Sequence, residues 1–150
     1  MEKDQNAAIR DAKISDAAAL AALAGELGYP TTSAEMEGRL ESLRSDPQHR
    51  VFVAERDGLL GWIHVSMINT LESESFAEIR GLVVTKSYRS LGIGTQLVAT
   101  AEKWANERRC NRIRVRTNVV RLEARAFYKK LGYVSKKTQE IFDKSLLPDG

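Results

Sequence analysis

The stretch Leu82-Val-Val-Thr-Lys-Ser-Tyr-Arg-Ser-Leu-Gly-Ile-Gly-Thr95 runs from an apolar segment, through a polar turn, into the start of a long amphipathic segment. It reads as a buried strand, a loop and the first turn of a helix. A helix N-terminus leaves backbone N–H groups unpaired and carries partial positive charge, so anions bind there. Gly92 and Gly94 lack a Cβ, which lets an anion approach the backbone and permits unusual dihedrals. Arg89 adds a full charge. Two nucleotide motifs do not fit: a P-loop needs Gly-Lys-Ser/Thr where this chain reads Gly92-Ile-Gly-Thr-Gln96, and the dinucleotide fingerprint needs a third glycine where Leu97 stands. Alone, the two glycines would be better explained as a plain strand-to-helix turn.

Downstream, Leu97, Val98, Ala101, Trp104 and Ala105 form one face of a helix that ends in Arg108-Arg109. Ile113 and Val115 alternate with Arg112, Arg114 and Arg116, the period of a strand. Ala124, Phe127, Tyr128 and Leu131 predict a short helix closed by Gly132, and weaker strands follow at Tyr133-Val134 and Ile141-Phe142. Upstream, Ile9 to Ala12 predicts a strand. Ser15 or Asp16 can cap a helix carrying Leu20, Leu23 and Leu27, stopped by Gly28 and Pro30. Thr32 and Glu35 form a capping box for a second helix through Leu40 and Leu43, ended before Pro47. Strands over Val51–Glu55 and Leu60–Met67 flank the hairpin turn Asp57-Gly58, and a polar loop leads to a strand over Phe76–Val84. The order β-α-α-β-β-β-α-β-α-β-β implies an α/β (α+β) domain, a mixed sheet with helices on its faces. No repeat, linker or low-complexity tract interrupts it, so a single domain over residues 1–150 is expected.

Composition excludes several classes. At 150 residues, with 43% apolar and 29% charged side chains, the chain can bury a full core without staples. No apolar run approaches a membrane span, and the polar N-terminus predicts no secretory leader. One cysteine, Cys110, and two histidines, His49 and His64, argue against a disulfide or a structural metal. The expectation is a cytoplasmic protein. A net charge of +3 is ordinary for this size and only hints at a phosphate-bearing partner.

Three segments share one resemblance. Arg89-Ser-Leu-Gly-Ile-Gly94 fits the R/Q-x-x-G-x-G/A signature of the GNAT superfamily of acyl-CoA-dependent N-acetyltransferases. Ala77-Glu-Ile-Arg-Gly-Leu-Val-Val84 resembles the strand before that loop, and Ala126-Phe-Tyr-Lys-Lys-Leu-Gly-Tyr133 is similar to the family's closing helix. Each is weak alone; their order and spacing together are strong, and the resemblance covers essentially the whole chain. It implies a mixed, mostly antiparallel sheet of about six to seven strands flanked by about four helices.

The resemblance also implies acetyl-CoA as co-substrate, with no metal. Its pantetheine arm would pair with the backbone of Leu82, Val83 and Val84, and its diphosphate would sit on the amides of Ser90, Leu91, Gly92, Ile93, Gly94 and Thr95 beside Arg89. Gly81 fits a bulge that splays the strand and opens a slot for the arm. Asn118 or, because of its spacing from Tyr128, Arg121 would contact the pantetheine. Acetyl transfer to an amine needs a base for the ammonium proton, a donor for the oxyanion and an acid for the departing thiolate. The resemblance places Tyr128 near the sulfur as that acid; otherwise it is a core aromatic, a role Phe127 can fill next door. The Val83 amide could polarise the carbonyl. Glu78, a carboxylate inside an apolar strand, is the candidate base through a water, the alternatives being an edge position or a pair with Arg80 or Arg116. Glu72 and Glu74 make the entry loop acidic, and His64 shares a strand face with Trp62 and Ser66.

The expected acceptor is a small-molecule or protein primary amine, with homodimers common in the superfamily. Two rivals remain. The arginine-rich segment 108–116 could bind nucleic acid, although it lacks interleaved aromatics for base stacking. The domain could also be an inactive acyl-CoA-binding regulator.

Overall fold

A computed structural model describes residues 7–89, 91–117 and 122–148. The chain folds as two compact units, Met1–Arg116 and Thr117–Gly150. In the first, β1 (Ala8–Asp11), α1 (Ala17–Glu26), α2 (Ser33–Arg44), β2 (His49–Glu55), β3 (Leu59–Ile68), β4 (Phe76–Val84), α3 (Ile93–Glu107) and β5 (Ile113–Val115) follow in order, with short 3-10 turns at Ile14–Asp16 and Lys86–Tyr88. The second holds α4 (Leu122–Lys130).

The sheet order is β1-β2-β3-β4-β5, antiparallel through β4, with β5 parallel to β4. Local chemistry sets the boundaries. Asp16 accepts the Lys13 N–H at 2.8 Å and pairs with Arg10, closing the 3-10 turn from which α1 starts. The Thr32–Glu35 capping box forms in both directions, at 3.1 and 2.9 Å. Asp57 and Gly58 both take positive φ, 54° and 113°, which a tight hairpin between twisted strands demands.

Strand alternation divides the core. Val53 and its cross-strand partner Trp62 face α1 and α2, packing with Ala12, Ala17, Leu20 and Leu40. On the other face, Ile63 and Val65 are fully buried on the side covered by α3, whose Ile93, Leu97, Val98, Ala101, Trp104 and Ala105 are buried as the helical period predicts.

The described residues carry five strands rather than six to seven. Tyr133-Val134 and Ile141-Phe142 form no strand: residues 133–148 hold neither helix nor strand, and Val134, Ile141 and Phe142 are exposed. Each expected strand was only two apolar residues among lysines, glutamate and aspartate. So short a pattern does not specify a ladder without a paired neighbour.

Candidate active site

The site is built on β4. On one side β4 pairs with β3 along its whole length, from Ile68↔Phe76 to Gly61↔Val84. On the other it pairs with β5 only at Ala77, Glu78 and Ile79. From Arg80 to Val84 that second edge has no strand partner among the described residues. The register changes where the partnering stops: His64 faces Gly81 and Val65 faces Ile79, so Arg80 is the extra residue of a bulge. A bulge kinks and twists the strand that carries it, turning residues 80–84 away from β5. Gly81 lets the strand pass close to Trp62 there: a Cβ would lie 3.0 Å from its ring, which would have to shift. Of Leu82, Val83 and Val84, the backbone groups at the open edge are those of Leu82 and Val84: the Thr85 N–H donates to Leu60, and the alternation of the ladder turns Val83 N–H and C=O toward β3.

That edge runs into the loop before α3. Gly92 caps α3 in the left-handed region, φ 90°, a conformation that costs side-chain-bearing residues. The first amides of α3, from Ile93 onward, then point out of the helix end without intrahelical acceptors. Arg89 is exposed, and its Nε donates to the Val84 carbonyl at 3.0 Å, tying the loop to the strand end. Leu91 is exposed. Ser90, Asn118 and Arg121 lie outside the described residues.

Glu78 is buried and sits on the sheet face shared by His64 and Ser66, since the bulge returns Glu78 and Gly81 to one side. Arg80 Nη1 donates to its Oε2 at 2.8 Å and Arg116 Nε at 3.3 Å. Of the alternatives for Glu78 the edge position is excluded, and the pairing holds with both arginines. Three more arginines of segment 108–116 are engaged: Arg112 and Arg114 lie over the Phe76 ring at 4.1 and 4.6 Å, and Arg108 over Trp104 at 5.1 Å.

His64 does not stand alone. Its Nε2 lies 2.9 Å from His49 Nδ1, and His49 Nε2 is 3.8 Å from Asp46. Burial, then the positive fields of His49 and Arg80, push the His64 pKa down to about 4, so its imidazole is neutral at pH 7.

In the second unit, Tyr128 is the buried residue of α4 and Phe127 is half-buried. The Tyr128 ring meets Phe127 edge-on at 5.0 Å and Tyr133 at 5.5 Å. Tyr128 is thus packed in an aromatic cluster whichever chemistry its hydroxyl performs.

Three contributors escaped the sequence reading. Gly61 lies so close to β4 that a Cβ would come within 2.6 Å of the Val83 carbonyl oxygen; a lone glycine inside a strand was the available signal. Glu26, the last residue of α1, reaches Thr85 and Lys86 at the end of β4. The His49–His64 contact joins residues of opposite strands. No signal of spacing marks the last two. Among the described residues, no group of three or more His, Cys, Asp or Glu side chains could hold a metal ion, and no helix is long and apolar enough to cross a membrane.

A mixed sheet split beside a bulge, with a glycine-capped helix below the split, is the architecture of an acyltransferase fold. Residues 18–133 match the Acetyltransferase (GNAT) family, and the chain belongs to it. An uncharacterised N-acetyltransferase of Methanocaldococcus jannaschii is 39% identical over 88 residues, 57% of this chain; the match spans about half, 53%, of that relative. Among solved structures, a transcriptional regulator from Bacillus halodurans C-125 superposes with a TM-score of 0.83 at 22% identity, over 93% of this chain and 100% of that one. AAC(6')-Iy, in complex with the bisubstrate analogue CoA-S-monomethyl-acetylneamine, superposes with a TM-score of 0.81 at 19% identity, over 92% and 97%. At these identities the likeness concerns the fold.

Proposed function

We propose that the chain, as a single GNAT domain, transfers the acetyl group of acetyl-CoA to a primary amine by direct attack in a ternary complex. The observation that carries this is the unpaired β4 edge at residues 80–84, which leads straight to the Gly92 turn. An extended amide-bearing arm can add to such an edge as a strand does, with its diphosphate on the helix N-terminus. Leu82 and Val84 hold the arm through their outward backbone groups, with Val83 between them, and Arg89 with residues 90–95 holds the diphosphate. The pairing of Arg89 with the Val84 carbonyl supports the same placement by keeping the guanidinium at the junction of strand and loop. The residues present therefore fit the co-substrate.

Glu78 Oε1 takes the ammonium proton through a water, while Oε2 stays with Arg80 and Arg116. The Val83 N–H, expected to polarise the thioester carbonyl, turns toward β3 instead, so an outward N–H of its neighbour Leu82 or Val84 donates to that carbonyl as the amine nitrogen forms its bond to carbon. When the carbon–sulfur bond breaks, the Tyr128 hydroxyl gives its proton to the departing sulfur. The acceptor is a small-molecule or protein amine; the bisubstrate analogue bound by AAC(6')-Iy supports the small-molecule form.

Thermal unfolding with and without acetyl-CoA tests the assignment. At a hundredfold excess over its Kd the ligand adds about 2.7 kcal/mol, roughly 5–10 °C for this size. No shift with saturating acetyl-CoA, or no CoA release with any member of an amine panel, overturns the proposal.

A further inference from the structure

Glu26 breaks two local rules. It ends α1, where the negative pole of the helix disfavours a carboxylate. It also lies at the mouth of a loop suited to anions. Yet it is exposed to solvent and makes no internal pair within its own helix turn that would explain it. Its carboxylate instead spans some 60 residues of chain: Oε2 and Oε1 accept from Thr85 Oγ1 at 3.0 and 3.2 Å, and Oε1 accepts the Lys86 N–H at 3.0 Å. Thr85 and Lys86 are the hinge between β4 and the loop. The Thr85 N–H donates to Leu60, its carbonyl accepts from Tyr88, and the Lys86 carbonyl accepts the Arg89 N–H. Arg89 in turn holds Val84. Among the described residues, Glu26 thus tethers this hinge from outside β3, β4 and the loop itself.

We propose that Glu26 is a positioning residue for the acetyl-CoA diphosphate loop: by clamping Thr85 and Lys86 it sets the angle at which the loop leaves β4. The proposal rests on the reading of residues 89–95 as that loop. Its carboxyl pKa lies below the usual carboxylate range because it accepts the Lys86 N–H and the Thr85 hydroxyl. Immediately beyond Glu26 the chain passes Gly28, φ 86°, and turns through exposed Tyr29 toward α2.

Calorimetric titration of the full chain with CoA, paired with amide hydrogen exchange at Lys86, tests this. Glu26→Ala removes the acceptors and should weaken CoA binding about tenfold, the scale of one to two lost hydrogen bonds, with the melting temperature held within about 2 °C because the side chain is exposed. Glu26→Gln keeps an acceptor for the Lys86 N–H and drops a negative charge beside the diphosphate, so it should bind CoA within about threefold of wild type, or tighter. Lys86 exchange should rise in Glu26→Ala and stay slow in Glu26→Gln, with or without CoA. Equal CoA affinity in wild type and Glu26→Ala would overturn the positioning role. Tighter binding in both variants would overturn it too, by making Glu26 a repulsive neighbour only. Wild-type protein that fails to bind CoA while Lys86 exchange still responds to Glu26→Ala would instead overturn the functional reading and leave the clamp established.

Discussion

Replacing Gly61 with alanine tests whether close approach of β3 and β4 sets the slot. The added Cβ would stand 2.6 Å from the Val83 carbonyl oxygen, 3.3 Å from the Val84 Cα and 3.3 Å from Leu97 Cδ1. Leu97 can yield by a small rotation; the backbone oxygen cannot. Ordinary contact begins near 3.4 Å, so β3 and β4 must part by about 0.8 Å at this point. A ladder bond stretched by that amount from about 2.9 Å no longer meets hydrogen-bond geometry. Overpacking of this kind costs about 1–3 kcal/mol and the weakened bond about 1 more, while the stiffer unfolded chain returns roughly 0.5–1. The net loss is about 1–3.5 kcal/mol, a fall of roughly 2–14 °C in melting temperature. Urea unfolding of Gly61→Ala reads the first effect, and titration with acetyl-CoA reads the displacement of Val83. A variant melting within 1 °C of wild type and binding acetyl-CoA unchanged would refute the argument that Gly61 positions β4.

The Gly92→Val variant should lose the acetyl-CoA thermal shift, since φ 90° costs a side chain about 1–2 kcal/mol and the turn must rearrange; a retained shift would place the diphosphate elsewhere. Because the folded His64 pKa lies at about 4, below the ordinary 6.5, the unfolded chain binds the proton more readily between those values. Stability should therefore be fully present above pH 6.5 and fall as pH drops, by at most about 3 kcal/mol at pH 4, and His64→Gln should flatten that part of the profile. In Tyr128→Phe, kcat should fall roughly 10²-fold with CoA affinity kept if the hydroxyl is the acid, whereas unchanged turnover would end that role.

What was legible in the sequence was whatever lies within one element or one turn. The Thr32–Glu35 box, the Asp57-Gly58 hairpin and the buried face of α3 each depend on residues a few positions apart, and each formed where expected. The glycines at 81 and 92 were legible too, because a bulge and a left-handed cap leave few other residues possible. Contacts between distant segments were not. Nothing in the spacing of Glu26 and Lys86, or of His49 and His64, marks them as partners. Glu78 was recognisable as an anomaly in an apolar strand, but its two arginines come from the bulge and from beyond β5. Phe127 and Tyr128 share the expected apolar face but are buried unequally, because neighbours on a helix differ by about 100° in direction and a short helix leaves the phase of its face ill-determined. The terminal strands failed for a related reason: two apolar residues carry no period at all.

The unequal pairing of β4 also bears on how the protein acquires its shape during synthesis. The β2–β3–β4 meander joins near neighbours in sequence and is complete once residue 84 has emerged. Its early formation is favoured because short-range contacts close at small entropic cost and the N-terminal part appears first. The parallel contact of β5 with β4 must wait for α3, and it consists of three residue pairs. Closure of that seam comes last and, in the finished protein, costs least to undo. Amide protection should therefore decline steeply from the β3 side of β4 to β5, and a ligand lying along the seam would slow exchange in β5 more than anywhere in the meander.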